Sequence, residues 1–226
     1  MTRMPTRLTP GGVSIAAVRQ QMERQKFEAR HAPRMIFAMD ATGSREPTWE
    51  MAGKLHREMG AALGSLTLQL VFFGGTECKA SGWVVGGQRL AELMAKVRCA
   101  TGYTQIGRVL RHVLTESREH TIRALVYVGD CCEEPGEELF GLAEQLKQRK
   151  IPIFVFHEGT DSVAEPIFRR LAQITDGIYA SFDTGSAEQL RKLLASAADY
   201  AVGRYQSIGD LRNVLLIGRG GGDAMR

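Results

Sequence analysis

Oxygen-bearing side chains stand at alternate positions in one short segment of the chain, Asp40-Ala41-Thr42-Gly43-Ser44. Asp40, Thr42 and Ser44 supply one carboxylate and two hydroxyls, which a turn can aim at a single point. Hard cations such as Mg²⁺ and Ca²⁺ are bound by oxygens of this kind. The same residue types also cap helices, because they accept hydrogen bonds from the free N–H groups of the first turn. Taken alone, the segment therefore leaves a cation site and a helix cap open.

Two further segments carry oxygen donors that a sheet would bring to the first. Thr104 precedes a predicted helix, and Asp130 follows a predicted strand. Ligands of open α/β sheets bind beside the carboxyl ends of the strands, so a residue that follows a strand is well placed. Asp176 is a competing carboxylate, but it follows a predicted helix and precedes a strand. We therefore interpret Asp176 as part of a turn at the opposite end of the sheet.

An alternation of strands and helices positions these residues. Short apolar runs predict strands at 34–39, 65–73, 122–128, 151–156 and 177–182, with an antiparallel edge strand at 79–85. Apolar spacing predicts helices at 14–30, 47–62, 88–97, 105–117, 137–148, 164–174 and 186–200. Strands that alternate with helices of about 10–15 residues predict a doubly wound α/β fold. Its central sheet is mostly parallel with one antiparallel edge strand, and helices cover both faces.

The three segments, in this order, resemble the metal-ion-dependent adhesion site (MIDAS) of the von Willebrand factor A (VWA) family. That site is written D-x-S/T-x-S, then a threonine before a helix, then an aspartate after a strand. The resemblance spans about residues 34–200 and extends to the stand-alone intracellular bacterial type. It implies a Rossmann-like fold and a divalent metal, Mg²⁺ or else Mn²⁺ or Ca²⁺. The implied metal ligands are Asp40, Thr42, Ser44, Thr104 and Asp130.

The chain departs from the family pattern beside the implied ligands. Thr42 stands where serine is commoner and keeps the hydroxyl. Arg45 stands where the family often has methionine, which places a cation near the metal. Cys131 stands where glycine usually follows the last aspartate, so we expect a differently built turn.

The resemblance implies a metal-dependent protein–protein interaction module rather than an enzyme. Neutral hydroxyl ligands leave the cation electrophilic, with one position open for an Asp or Glu of a partner protein. Stand-alone bacterial members imply a AAA+ ATPase of the MoxR type as partner, or a stress-resistance system. The sequence contains no G-x-x-x-x-G-K-[ST] and no G-x-S-x-G segment. A metal-dependent hydrolase and a nucleic-acid-associated protein that uses basic termini remain alternatives.

The length and charge of the chain favour one domain with extensions. At 226 residues, with 44% of them hydrophobic, the chain can bury one substantial core. We expect a basic helical N-terminal extension at 1–33, a VWA domain at 34–203 and a flexible C-terminal tail at 204–226. The net charge of +4 combines basic ends with a mildly acidic middle. The basic residues are scattered without interleaved aromatics, which makes a nucleic-acid partner the weaker reading.

We expect a cytoplasmic protein without membrane contact. No stretch of the sequence approaches about 18 consecutive apolar residues, and no apolar block follows the basic start. The four cysteines lack zinc-finger spacing and are interpreted as reduced thiols: Cys78, Cys99, Cys131 and Cys132. A thiol near a cation can have a lowered pKa and become redox-sensitive. We hold this as a hypothesis for Cys131 and Cys132, which lie beside the predicted metal loop.

Two other features lie near the predicted site. His157 ends a predicted strand on the same side of the sheet, where it could line a cleft with Glu158 or be an ordinary packed histidine. An acidic run follows Asp130. We interpret it as the first turn of the next helix, where the helix dipole favours acidic residues, or as a group that attracts a basic partner. Its members are Glu133, Glu134, Glu137 and Glu138.

Overall fold

A computed structural model describes residues 18–23, 33–43, 66–183, 187–205 and 209. The chain divides into two units, Met1–Ala32 and Pro33–Arg226. In the first unit, residues 18–23 are helical, and the rest of the helix predicted at 14–30 lies outside the described residues. The helix predicted at 47–62 and most of the tail predicted at 204–226 also lie outside them.

In the second unit, seven strands of the described residues form one mixed sheet. They are β1 (Arg34–Asp40), β2 (Thr67–Gly74), β3 (Glu77–Ala80), β4 (Val84–Val85), β5 (Ile122–Gly129), β6 (Ile153–Glu158) and β7 (Ile178–Phe182). The order across the sheet is β3-β2-β1-β5-β6-β7. All neighbours pair in parallel except β3 and β4, which run antiparallel to β2. The predicted doubly wound sheet with an antiparallel edge is confirmed.

The edge predicted as one strand at 79–85 is divided at Ser81. The N–H of Ser81 donates to the carbonyl of Leu70 at 2.8 Å. Its hydroxyl accepts a hydrogen bond from the N–H of Leu70 at 3.1 Å, in place of a backbone acceptor. The two short strands β3 and β4 therefore follow the same edge of β2 on either side of this serine.

Five helices of the described residues flank the sheet: α1 (Gly87–Met94), α2 (Ile106–Glu116), α3 (Gly136–Gln148), α4 (Ala164–Ile174) and α5 (Ala187–Ala201). Successive residues of a strand point to opposite faces. Met35 and Phe37 of β1 pack in one core with α1 and α5, whereas Ile36 and Ala38 pack in a second core with α2, α3 and α4. Helices on both faces are thus confirmed. Within the described part of the chain, no helix is long and apolar enough to cross a membrane.

The winding of the sheet reverses at β1. The chain passes from β1 to β2 on one side and later returns to β5 on the other side. In doubly wound sheets such a reversal leaves a crevice at the carboxyl ends of the strands on either side of it, here β1 and β5. Asp40 is the last residue of β1, and Asp130 follows the last residue of β5. The fold brings the two predicted carboxylate ligands to this crevice.

Candidate metal centre

The loop after β1 is held by backbone hydrogen bonds on two sides. The N–H of Ala41 donates to the carbonyl of Phe73 in β2 at 2.8 Å, and the carbonyl of Ala41 accepts from the N–H of Ala100 at 2.9 Å. Asp40 is 0% exposed, and its Oδ1 accepts from the N–H of Thr42 at 2.7 Å. Burial of a carboxylate is costly unless hydrogen bonds or a cation compensate it. The hydrogen bond from Thr42 is part of this compensation.

Glycines permit the close approach of the loops around Asp40. A Cβ on Gly74 would lie 2.7 Å from the carbonyl oxygen of Ala41. A Cβ on Gly102 would lie 2.4–2.5 Å from three backbone atoms of Gly75, which itself has a φ of 60°. A larger residue at Gly74 would push away the loop after β1, and one at Gly102 would push the loop before α2 away from the turn between β2 and β3. That loop carries Thr104.

Thr104 is joined to the loop after β5 by a reciprocal pair of hydrogen bonds. Its N–H donates to Oε2 of Glu133 at 2.7 Å, and its Oγ1 accepts from the N–H of Glu133 at 3.0 Å. Thr104 is buried, with 4% of its surface exposed. A hydroxyl has two acceptor lone pairs, so the bond from Glu133 leaves one of them for a further ligand. Because Glu133 lies three residues after Asp130, this pairing brings Thr104 to the Asp130 loop.

Glu134 caps the helix that Thr104 precedes. Its carboxylate accepts hydrogen bonds from the N–H groups of Ile106 and of Gly107, the latter at 2.9 Å. Burial raises the pKa of Glu134, while these two backbone hydrogen bonds act in the opposite direction. Gln105, which precedes α2, makes no side-chain cap. The capping group of α2 therefore comes from another loop.

The acidic run was interpreted incorrectly in part. Helix α3 begins at Gly136, and its first turn contains Glu137 and Glu138, as predicted. Glu133 and Glu134 precede this helix and contact the loop and first turn of α2 instead. The run is divided because the chain bends before α3, which helical spacing alone does not reveal. A sequence signal did exist, since α2 begins without a Ser, Thr, Asp or Asn at its N-cap.

Three potential metal ligands meet at the crevice. The carboxylate oxygens of Asp40 and Asp130 and the Sγ of Cys131 all lie within 4.8 Å of one another. Burial and then the neighbouring carboxylates raise the pKa of the Cys131 thiol. The protein groups thus oppose the lowered thiol pKa that was hypothesised beside a cation.

Cys132 differs from its neighbour. Its Sγ lies 3.7 Å from the carbonyl oxygen of Glu134, and the side chain packs in the second core. Burial raises the pKa of Cys132 to about 11. Only Cys131 of this adjacent pair belongs to the cluster with Asp40 and Asp130.

His157 lies beneath the Asp130 loop. Its Nε2 is 3.1 Å from the carbonyl oxygen of Asp130, and its Nδ1 is 2.9 Å from the hydroxyl of Tyr179. Because a carbonyl only accepts, Nε2 carries a proton and donates it. His157 is 0% exposed and packs edge-on against Phe168. The alternative that His157 lines a cleft is therefore wrong, and its contact is with the backbone that carries Asp130.

The remaining sequence candidates have clear positions or lie outside the described residues. Thr42 is buried beside Asp40, with 7% of its surface exposed. Ser44 and Arg45 fall outside the described part of the chain. Asp176 lies between α4 and β7 with a φ of 54°, and its carboxylate is 3.7 Å from Nζ of Lys147. It occupies a helix-to-strand turn, as its sequence context predicted.

This donor set fits a divalent cation. Two carboxylates that are close together in a largely buried place repel each other, and a cation between them removes that repulsion. Asp40 and Asp130 together balance a charge of two, and buried hydroxyls of Thr42 and Thr104 lie on adjoining loops. Thr104 and Asp130 are linked through Glu133, so the ligands are arranged by contacts of the protein itself.

Comparison with known proteins identifies the fold. No family model and no curated protein match the chain. A von Willebrand factor type A protein from Catenulispora acidiphila matches with a TM-score of 0.61 and 15% identity, over 74% of this chain and 43% of that one. This chain thus spans less than half the length of that protein.

Two other solved structures are similar. Proximal thread matrix protein 1 from the mussel byssus, with a zinc-occupied MIDAS motif, matches with a TM-score of 0.60 and 12% identity, over 75% of this chain and 46% of that one. The VWA domain of SpRpn10 matches with a TM-score of 0.52 and 13% identity, over 72% and 94% of the two chains. The present chain has the VWA fold.

Proposed function

We propose that this protein binds a divalent cation at the crevice and uses the bound ion to dock an acidic side chain of another protein. The proposed ligands are Asp40, Thr42, Ser44, Thr104 and Asp130. The observation that carries the proposal is the meeting of the Asp40 and Asp130 carboxylates, within 4.8 Å, where the winding of the sheet reverses. The zinc-occupied MIDAS motif of the mussel protein supports metal binding at this place in the fold.

Each group of the chain has a distinct part in this function. Asp40 and Asp130 supply the negative charge, and the N–H of Thr42 fixes one oxygen of Asp40. His157 holds the backbone of Asp130 from below. A bound divalent ion supplies an electrophilic point that accepts one further carboxylate oxygen.

The proposed partner is a protein that presents an Asp or Glu to the ion. We propose an interaction module rather than an enzyme, and a cytoplasmic location. We propose a AAA+ ATPase of the MoxR type, or a component of a stress-resistance system, as the partner. Mg²⁺ is the ion that the oxygen ligands favour, with Mn²⁺ and Ca²⁺ as alternatives.

Calorimetric titration tests the metal site. We expect saturable heats when Mg²⁺, Mn²⁺ or Zn²⁺ is added to the full chain, and no saturable heat with Asp40→Ala, because that change removes a buried ligand. Asp130→Asn gives a second variant of similar shape in case Asp40→Ala folds poorly. Asp176→Asn is the matched control, since Asp176 lies in a turn at the other end of the sheet and Asn tolerates its positive φ. Equal heats for the parent chain and both site variants would contradict the proposal.

A further inference from the structure

We infer that Cys131 joins Asp40 and Asp130 as a ligand of the bound ion and that its sulfur makes the site select Zn²⁺ over Mg²⁺. This inference rests on the proposed metal site. The Sγ of Cys131 and one carboxylate oxygen each of Asp40 and Asp130 all lie within 4.8 Å of one another. Atoms that bind one zinc ion, each at about 2.0–2.3 Å, lie somewhat closer together than this. Small side-chain movements therefore suffice for a shared ion.

The direction of the thiol distinguishes Cys131 from the adjacent cysteine. The Sγ of Cys131 lies within 4.8 Å of carboxylate oxygens of Asp40 and Asp130, and Cys131 is only partly buried. Cys132 is buried, lies 3.7 Å from the carbonyl oxygen of Glu134 and packs in the second core. One cysteine of the pair thus faces the carboxylates, and the other faces the protein interior.

The main chain on both sides of Cys131 is held in place. The carbonyl of Asp130 lies 3.1 Å from Nε2 of buried His157. The N–H of Glu133 donates to Oγ1 of Thr104 at 3.0 Å. These bonds fix the backbone from which the thiol extends, so its approach to Asp40 is built into the loop.

The chemistry of this ligand set favours zinc. Mg²⁺ prefers six oxygen ligands and keeps several waters, whereas thiolate sulfur is a preferred ligand of Zn²⁺. In a four-coordinate zinc site, the two carboxylates and the thiolate take three positions in place of the neutral hydroxyls that Mg²⁺ would use. The fourth position remains for water or for the carboxylate of a partner. On binding, a sulfur–zinc bond replaces the sulfur–hydrogen bond, and the proton passes to solvent.

Cobalt spectroscopy with the full chain tests the sulfur ligand. Co²⁺ replaces Zn²⁺ in such sites, and a cobalt–sulfur bond gives a charge-transfer band in the near ultraviolet. We expect this band in the parent chain, its loss in Cys131→Ser and its retention in Cys132→Ser. In Cys131→Ser we also expect the ratio of Zn²⁺ to Mg²⁺ affinity to fall by about tenfold or more, as loss of a supporting group at a metal site commonly costs.

The outcomes separate this inference from the proposed function. Cys131→Gly serves as a second variant without any side-chain donor, and circular dichroism verifies that each variant is folded. If Cys131→Ser and Cys131→Gly keep the band and the affinity ratio of the parent chain, the sulfur ligand is refuted and the metal site stands. If the parent chain binds none of Mg²⁺, Zn²⁺ and Co²⁺, both this inference and the proposed function fail.

Discussion

At the scale of single residues, two of the carboxylates near the crevice are proposed metal ligands and two others hold the protein backbone. Asp40 and Asp130 meet at the crevice, whereas Glu133 and Glu134 hold the loop and the first turn of α2. The second pair orders the backbone around Thr104 without being a proposed ligand. We therefore expect a substitution of Glu134 to weaken the capping of α2 and the stability of the fold, and to alter metal binding only through the position of Thr104.

Glu134 gives a test by pH. Burial raises its pKa in the folded chain, so its stabilising contribution is fully present below the unfolded pKa of glutamate, about 4.3, and is lost as the pH rises through the folded pKa. We expect the free energy of unfolding of the parent chain, minus that of Glu134→Gln, to fall as the pH rises through this window. Urea denaturation at a series of pH values measures this difference. Glu144→Gln, an exposed change on α3, is the control. Parallel pH profiles for the parent chain and Glu134→Gln would contradict the assignment.

The sequence predicted some site residues but not others, for a physical reason. Asp40 and Asp130 could be placed because each ends or follows an apolar strand, and parallel strands bring their carboxyl ends to one edge. Cys131 was seen as a departure from the family pattern, but its approach to Asp40 depends on side-chain direction. Glu133 and Glu134 were missed because their partners lie about 28 residues away in the chain.

At the scale of elements, the site depends on loops that pack through backbone atoms. The loop before α2 reaches the turn between β2 and β3 because Gly102 and Gly75 lie against each other. In the same loop, the N–H of Ala100 donates a hydrogen bond to the carbonyl of Ala41. A side chain between these loops would separate Thr104 from the end of β1.

Gly102→Ala tests this packing. Its Cβ would lie 2.4–2.5 Å from backbone atoms of Gly75, which cannot rotate away as a side chain can. We expect a loss of about 1–3 kcal/mol in the free energy of unfolding, as overpacked positions commonly show, together with weaker metal binding. Denaturation and calorimetric titration measure the two effects. Gly82→Ala is the matched control, because no heavy atom lies within 4 Å of its added Cβ. Equal behaviour of the two variants would argue against the close contact.

Element bounds followed well from apolar patterns where burial decides them. The strands predicted at 34–39 and 122–128 are observed as Arg34–Asp40 and Ile122–Gly129, because both lie in the centre of the sheet with helices on each face. The edge at 79–85 was predicted as a single strand. It is divided because the hydroxyl of Ser81 takes the place of a backbone acceptor, which periodicity does not encode.

At the scale of the whole molecule, the fold is known and the partner is proposed. The crevice lies at the carboxyl ends of the central strands β1 and β5, and the sequence is basic at both ends of the chain. A partner that uses the crevice must depend on the ion, whereas a nucleic acid that uses the basic ends must depend on salt. These two dependences distinguish the proposed function from its alternative.

Affinity capture with the full chain as bait, followed by mass spectrometry, tests the partner. We expect a protein that is retained with Mg²⁺ or Zn²⁺, is released by a chelator and is lost with Asp40→Ala, because its carboxylate binds the ion. We expect the same protein to be retained by a chain that lacks residues 1–33. A salt-sensitive gel shift with nucleic acid that disappears in that shortened chain, without any metal-dependent partner, would instead support the alternative.

The two backbone hydrogen bonds of Ala41 have a thermodynamic consequence. They tie Ala41, the residue next to Asp40, to β2 and to Ala100 through the protein's own backbone. An ion that binds only the folded chain adds to its stability by mass action, about 2.7 kcal/mol at an ion concentration one hundred times Kd. Under the proposed function, docking of the partner would then follow the concentration of free ion.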